Sequence, residues 1–481
     1  MVGLLFMVKV MERPKAAAGN GISRRDLVAW GVAACTCRAA LDPARAQESG
    51  ETPSGGSPAG VGSVDSQLAA AAAADRARQD AASPTDAPAG ATAPGAAPAP
   101  AAPGVVDTRI GYLRWVERRP VISLPDQPPP DDGLAGARLG LDDNNTTGRF
   151  MNQSFSLVDV PVRASDDVAA ELARLTAAGV RLVLTDAPGP QVLRLAVAAR
   201  PSGTTIFNVA APDDSLRGAD CQANLVNVAP SWAMLADAVG QYLVWKKWTR
   251  WLLLVGSHPD DVALGNAYRR TAKRYGAKIV EERTYKDTDG SRETDSGVVQ
   301  TQQQMPVFTQ GAAAYDVAVA ADENSVFAEY LPYRTWDARP VAGSAGMVPT
   351  SWDPSSESFG GTQLQNRFAR TARRGMRASD LQAWTAVRMI GEAVSHVAQG
   401  DMAQGDVAAA IAYMKSPAFG VAAYKGQKLT LRDWDLQLRQ PLLLADGRTI
   451  VSISPQPGFL HQVTELDTLG YDRPETTCKL Q

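Results

Sequence analysis

The sequence predicts an α/β protein of two lobes, each a mainly parallel sheet flanked by helices, with strands crossing between the lobes near the C-terminus. Strand-like and helix-like segments alternate along most of the chain, the pattern that parallel strands joined by crossover helices require. Several strand candidates are apolar at every position, Trp251-Leu252-Leu253-Leu254-Val255 above all, as strands covered on both faces should be. There are too many such units for one sheet of ordinary width, so two sheets are expected.

The first hundred residues stand outside this pattern. Ser23-Arg24-Arg25-Asp26-Leu27-Val28 sets paired arginines before a short apolar run, and Ala44-Arg45-Ala46 supplies an A-x-A cleavage site. Residues 1–46 therefore read as an export signal whose Ser-Arg-Arg-x-Leu string resembles the twin-arginine type, and the apolar run is too short to span a bilayer. Val32-Ala33-Ala34-Cys35 also fits a lipoprotein box that would acylate Cys35. The brevity of the preceding apolar run and the later A-x-A site favour cleavage at Ala46 and a soluble periplasmic product. Residues 47–106 are mostly Ala, Pro, Gly and Ser and bury too little apolar surface to offset ordering, so a disordered tether is expected there.

The folded part, 107–481, opens on the strand Arg109-Ile110-Gly111-Tyr112-Leu113. Ser165 is the expected cap of a helix carrying Val168, Leu172 and Leu175 on one face, and Gly179 ends it before the strand Val180-Arg181-Leu182-Val183-Leu184. A helix over Gln191–Ala199 leads to the strand Thr205-Ile206-Phe207-Asn208-Val209. Ser231 caps an apolar helix reaching Trp245, the run 251–255 follows, and Pro259 opens a helix that Gly276 closes. Ile279-Val280 and Asp316-Val317-Ala318-Val319-Ala320 continue the series. The ending differs: Leu429-Thr430-Leu431 and Leu436-Gln437-Leu438 alternate, and Pro441-Leu442-Leu443-Leu444 meets the turn Asp446-Gly447 and a strand over 449–453. Such a hairpin suits strands that pass between lobes. The expected division is 107–243 with part of 379–440 for the first lobe, and 244–378 with the C-terminal strands for the second.

Composition excludes several classes. A net charge of −3 gives no field for nucleic acid, and four cysteines with three histidines are too few for a structural zinc site. No nucleophile elbow, P-loop, dinucleotide fingerprint or His-rich metal motif is present, so neither catalysis nor a cofactor is expected. Asp287-x-Asp289-Gly290-Ser291-x-Glu293 has the glycine of a calcium loop in the wrong place and lacks its terminal glutamate. After cleavage at Ala46 only Cys221 and Cys478 remain; an oxidising compartment lets them form one disulfide, the alternative being two buried thiols.

With Ile110-Gly111-Tyr112, Gly140-Leu141-Asp142-Asp143-Asn144-Asn145 and the hinge-like ending in place, the chain resembles the type I periplasmic binding proteins, the Leu/Ile/Val receptor family of ABC transporters. The strings Gly111-Tyr112-Leu113-Arg114-Trp115, Gly140 to Gly148, and Leu431-Arg432-Asp433-Trp434-Asp435-Leu436-Gln437-Leu438-Arg439-Gln440-Pro441 resemble the branch encoded with pyrroloquinoline-quinone (PQQ)-dependent alcohol dehydrogenase systems. The resemblance implies the two-lobed type I fold, a small-molecule ligand, an ABC permease as partner and, for that branch, a quinoprotein dehydrogenase. A receptor delivering solute and an accessory protein of the dehydrogenase both remain open.

Ligands of open α/β sheets bind beyond the carboxyl ends of the strands. Those loops offer Trp115, Thr185, Asp186 and Asn208 in the first lobe, and Ser257, His258, Asp260, Asp322 and Glu323 with Trp352 in the second. Asp, Ser and Asn at such places also cap helices, so a plainer role stands open to each. Amino-acid receptors of the resembling family present hydroxyls and amides to a carboxylate after the third strand. Here Thr185-Asp186-Ala187-Pro188-Gly189-Pro190 sets a carboxylate and two prolines instead. That favours an uncharged or cationic ligand.

Overall fold

The computed structural model describes residues 105–117, 127–287, 295–399 and 406–480. The export signal, nearly all of the tether and Asp289 to Glu293 lie outside the described residues.

The first sheet has the order β2-β1-β3-β4-β5 and is parallel throughout. Its strands are β1 (Val106–Trp115), β2 (Gln153–Val162), β3 (Leu182–Thr185), β4 (Thr205–Asn208) and β5 (Leu225–Asn227). Between them run α1 (Leu134–Gly148), α2 (Val168–Ala177) and α3 (Gly189–Ala199). Asp167, rather than Ser165, caps α2: its side chain accepts from the Ala169 N–H. Ser165 lies two residues too early and hydrogen-bonds Asp166 instead.

The second sheet, order β7-β6-β8-β9, is again parallel. It comprises β6 (Arg250–Val255), β7 (Lys278–Thr284), β8 (Val317–Ala321) and β9 (Val341–Gly343), with α4 (Trp232–Trp245), α5 (Pro259–Tyr275) and α6 (Asp295–Thr309) around it. Each sheet carries apolar clusters on both faces. That explains why the central strands read as unbroken apolar runs.

Helix α4 packs within the core of the second sheet, with Trp251 and Leu253 of β6. The passage between lobes therefore falls before Ser231, earlier than the expected boundary at 243. The chain returns after β10 (Val348–Thr350). It then builds α7 (Gly361–Ala372), α8 (Ala378–Gln399), α9 (Val407–Met414) and the short ladder β11 (Val421–Ala422) with β12 (Lys428–Leu429) onto the first lobe. Glycines let α1 and α8 approach closely: a side chain on Gly136 would meet the Asp380 carbonyl at 2.0 Å.

The third passage, at Pro441, enters the hairpin β13 (Leu442–Ala445) and β14 (Ile450–Ser454), and β13 also pairs antiparallel with β10. The passages are stitched together by side chains. Gln437 and Gln440 donate to the carbonyls of Ala229 and Val228 at 3.0 and 2.9 Å. The buried Lys425 amine donates to the carbonyls of Ser351 and Pro441. The 431–441 string read from the sequence is this hinge block. Its Arg432, 1% exposed, holds Asp467 and the carbonyls of Leu466 and Leu469.

Cys221 in the first lobe and Cys478 in the tail are joined by a disulfide with Cα atoms 5.6 Å apart. The same tail is gripped from the second lobe, where Arg270 and Arg274 on α5 donate to the Gly470 carbonyl.

Candidate functional site

The parallel registers align Leu113, Thr185 and Asn208 at the carboxyl edge of the first sheet, with Trp115 two residues further along β1 and Asp186 just beyond Thr185. Asp186 is the centre of this edge. Its carboxylate accepts the Trp115 backbone N–H at 2.5 Å and the Tyr112 hydroxyl at 3.2 Å. Burial pushes its carboxyl up to about 7, against the pull of those two donors and of Arg114. Tyr112 is itself fully buried, and Gly133, at φ 72°, leaves it room: a Cβ there would lie 2.4 Å from the hydroxyl. Arg114 is held by Asp159 through two hydrogen bonds of 3.1 and 3.2 Å.

Thr185 and Asn208 shape the loops that follow them. The Thr185 hydroxyl accepts from the Ala187 N–H at 3.3 Å. The Asn208 amide donates to the Ala211 carbonyl and to Asn227, and accepts from Ala210 and Ala211. Its hydrogen-bonding capacity is taken up inside the protein, a role in loop closure rather than an open contact.

On the second sheet, Ser257 is exposed and accepts from the Asp287 N–H at 3.0 Å. His258 Nε2 lies 2.9 Å from the Asp287 carboxylate, and Asp260 is exposed in the first turn of α5. Glu323 is exposed and accepts from the Trp232 indole at 3.4 Å. Two expectations are corrected. Asp322 is 2% exposed, and its carboxylate takes the amides of Val326, Phe327 and Ala328 at 2.9, 2.7 and 2.7 Å. It therefore organises the turn after β8, the capping role that short acidic side chains serve. Trp352 is 2% exposed within the apolar core of the first lobe, because the chain has already crossed back by that residue.

Two acidic residues of this region escaped the sequence reading. Asp261, wholly buried, accepts from the His258 and Asn324 amides and so joins the loops after β6 and β8. Asp213 carries a carboxyl raised mainly by burial, with the charge of Asp260 adding to the rise. In sequence both look like ordinary helix-start acids. The strand ends thus present Asp186 and Asp213 from one lobe and Asp260, Asp287 and Glu323 from the other. Arg114 and His258 are each already partnered by a carboxylate. This predominance of carboxyl groups, Asp186 among them pushed up to about 7 by burial and so only partly ionised at neutral pH, disfavours an anion and accepts a neutral or cationic molecule.

The arrangement of two parallel sheets joined by three stitched passages is decisive for the fold. The chain has the two-lobed fold of the periplasmic binding proteins. It superposes on a periplasmic binding protein from Burkholderia mallei with a TM-score of 0.56 at 15% identity, covering 78% of this chain and 99% of that one. A leucine-, isoleucine-, valine-, threonine- and alanine-binding protein from Brucella ovis in its closed conformation gives 0.54 at 15% identity, over 70% of this chain and 88% of that one. An ABC transporter solute-binding protein from R. palustris in complex with benzoate gives 0.54 at 14%, over 78% and 100%. No protein-family model and no curated protein matches the chain.

Proposed function

We propose that this chain is an extracytoplasmic solute-binding protein that captures a small neutral or cationic molecule between its lobes and presents it to an ABC permease. What supports this reading is the two-lobed fold linked by three passages, with carboxyl-bearing strand-end loops on both lobes, Asp186 and Asp213 on the first and Asp260 and Glu323 on the second. A ligand touching both edges favours the closed arrangement by its differential contact with the two lobes. Asp186 and Trp115 form the first-lobe wall, the wholly buried Thr185 supporting the loop beneath them, and Ser257, His258, Asp260 and Glu323 form the second. No catalytic step belongs to this reading; binding and release are the whole activity. The compartment is the periplasm, reached through the signal ending at Ala46, with a Cys35 lipid anchor as the alternative form.

The finer assignment places the protein beside a PQQ-dependent alcohol dehydrogenase system, supported by the strings at 111–115, 140–148 and 431–441. Its ligand would then be a small alcohol-derived or cationic solute of that system, and the dehydrogenase a neighbour or partner. The test is a thermal-melt screen of purified protein against neutral, cationic and anionic solutes, followed by calorimetry on Asp186→Asn and Asp260→Ala. A solute at one hundred times its Kd should add about 3 kcal/mol of stability, and both substitutions should weaken it. Stable co-purification with the dehydrogenase and no response to any solute would instead favour a purely accessory role.

A further inference from the structure

A cavity of about 810 Å³ lies away from the strand ends, bounded by α1, α7, α8 and the β11–β12 turn on the first lobe. Its walls carry Arg367, Arg388 and Lys428 together with Trp384, Tyr424 and Phe359. The one carboxylate in the lining, Asp143, is already engaged: Arg367 pairs with one oxygen and the Trp384 indole donates to the other at 3.0 Å. Arg388 is half-buried, yet its hydrogen bond goes to the amide oxygen of Asn144, and neither it nor Lys428 makes an ion pair among the described residues. A partly desolvated guanidinium without a counter-charge is unfavourable unless an anion completes it. The chain as a whole is acidic, at −3, so this cationic lining runs against its average.

The aromatic side is equally specific. Trp384 and Tyr424 lie with ring centroids 5.7 Å apart. Phe359 is 59% exposed and held at φ 55°, a left-handed conformation that disfavours any residue with a Cβ. Its ring covers Gly426, where a Cβ would sit 2.7 Å away. An exposed phenyl group fixed by a strained backbone at a cavity rim is a feature that a purely structural loop would not need.

We propose that this cavity is a second ligand site, distinct from the interlobe cleft, which takes an aromatic carboxylate. The carboxylate sits against Arg388 and Lys428, and the ring stacks among Tyr424, Trp384 and Phe359. The volume is several times that of a single-ring carboxylate and admits one, and guanidinium and carboxylate match in geometry. The site also adjoins the hinge, since Lys425, next to Tyr424, lines the same cavity and holds the Ser351 and Pro441 carbonyls.

The probe is 4-fluorobenzoate, followed by ¹⁹F NMR line broadening on the full exported chain, with neutral 4-fluorobenzamide beside it. Wild type should bind the benzoate and bind the benzamide about tenfold more weakly. Arg388→Gln and, independently, the exposed Lys428→Gln should each weaken the benzoate about threefold to tenfold, and Lys428→Gln should do so with the melting temperature unchanged. Ser257→Trp, which fills the interlobe cleft, should leave it unaffected. Four results would each overturn the proposal. These are no binding up to about 10 mM, equal binding of the amide, insensitivity to both cation substitutions, and loss of binding in Ser257→Trp, which would place the probe in the cleft.

Discussion

Asp186→Asn should make the protein more stable in mild alkali and remove a pH dependence. The Asp186 carboxyl is pushed up to about 7 by burial, whereas an unfolded aspartate titrates near about 4. Below that lower value the group is protonated in both states and has no effect. As pH rises toward 7 the unfolded chain releases its proton while the folded one keeps it, so stability falls; above 7 the full cost of an ionised buried carboxylate is present. Linkage puts this cost at about 4 kcal/mol at pH 8 and about 1 to 2 kcal/mol at pH 5. Asparagine fits the same space, accepting the Trp115 N–H with its carbonyl and donating to the Tyr112 oxygen with its amide. Urea unfolding of both proteins at pH 5 and pH 8 measures the difference directly. The variant should gain at pH 8 and draw level with wild type as the pH is lowered. Parallel pH curves, or a loss of stability at pH 8, would refute the reasoning. The same group also marks the ligand: a cation bound against Asp186 would stabilise the carboxylate. Binding near pH 6.5 should then release up to about three quarters of a proton, read as a buffer-dependent heat in calorimetry.

Lys425 gives the opposite sign. Burial lowers its amine to about 7, so its contribution to stability rises by about 2 kcal/mol between pH 7 and pH 9, and Lys425→Met should flatten that rise in urea midpoints. Removing the disulfide with Cys221→Ser and Cys478→Ser opens a loop of 257 residues, and the chain-entropy relation gives a loss of about 5 to 6 kcal/mol, checked by non-reducing and reducing melts. Asp322→Ala strips the acceptor from three backbone amides and should cost about 2 to 4 kcal/mol while leaving solute affinity of the folded protein unchanged; a loss of affinity without a loss of stability would return Asp322 to the cleft.

What could be read in advance followed the range of the interactions. The strand over 251–255, the capped helix from Ser231 and the hairpin around Asp446-Gly447 are specified by neighbours in sequence, and each stands where expected. Helix α1 was missed because its N-cap is glycine without a capping side chain and because its contact face is made of small residues. Those residues acquire meaning only against Asp380 and Trp384, far along the chain. Strand β2 was missed for a related reason: it is an edge strand of partly buried residues interrupted by Pro161, with no clean alternation. At the site, Trp115, Thr185 and Asp186 were visible because a strand end is a local signal. Asp261, Asp213 and Lys425 were not, since a carboxylate bridging two loops or an amine stitching two passages has no signature in its own neighbourhood.

The interleaving of the two lobes sets an order on biosynthesis. The first sheet is spelled out early, but α8, which closes its apolar face and receives the Asn144 amide on the Val387 carbonyl, arrives 243 residues later. The second lobe waits longer still, for Leu442, Leu444 and Leu469 to enter its core. Neither half can finish while most of the chain is still on the ribosome, and both must close within the last stretch to emerge. A nascent chain paused between β9 and α8 would expose two unfinished apolar faces at once, so late and nearly simultaneous closure of both lobes, rather than stepwise completion of one and then the other, follows from this topology.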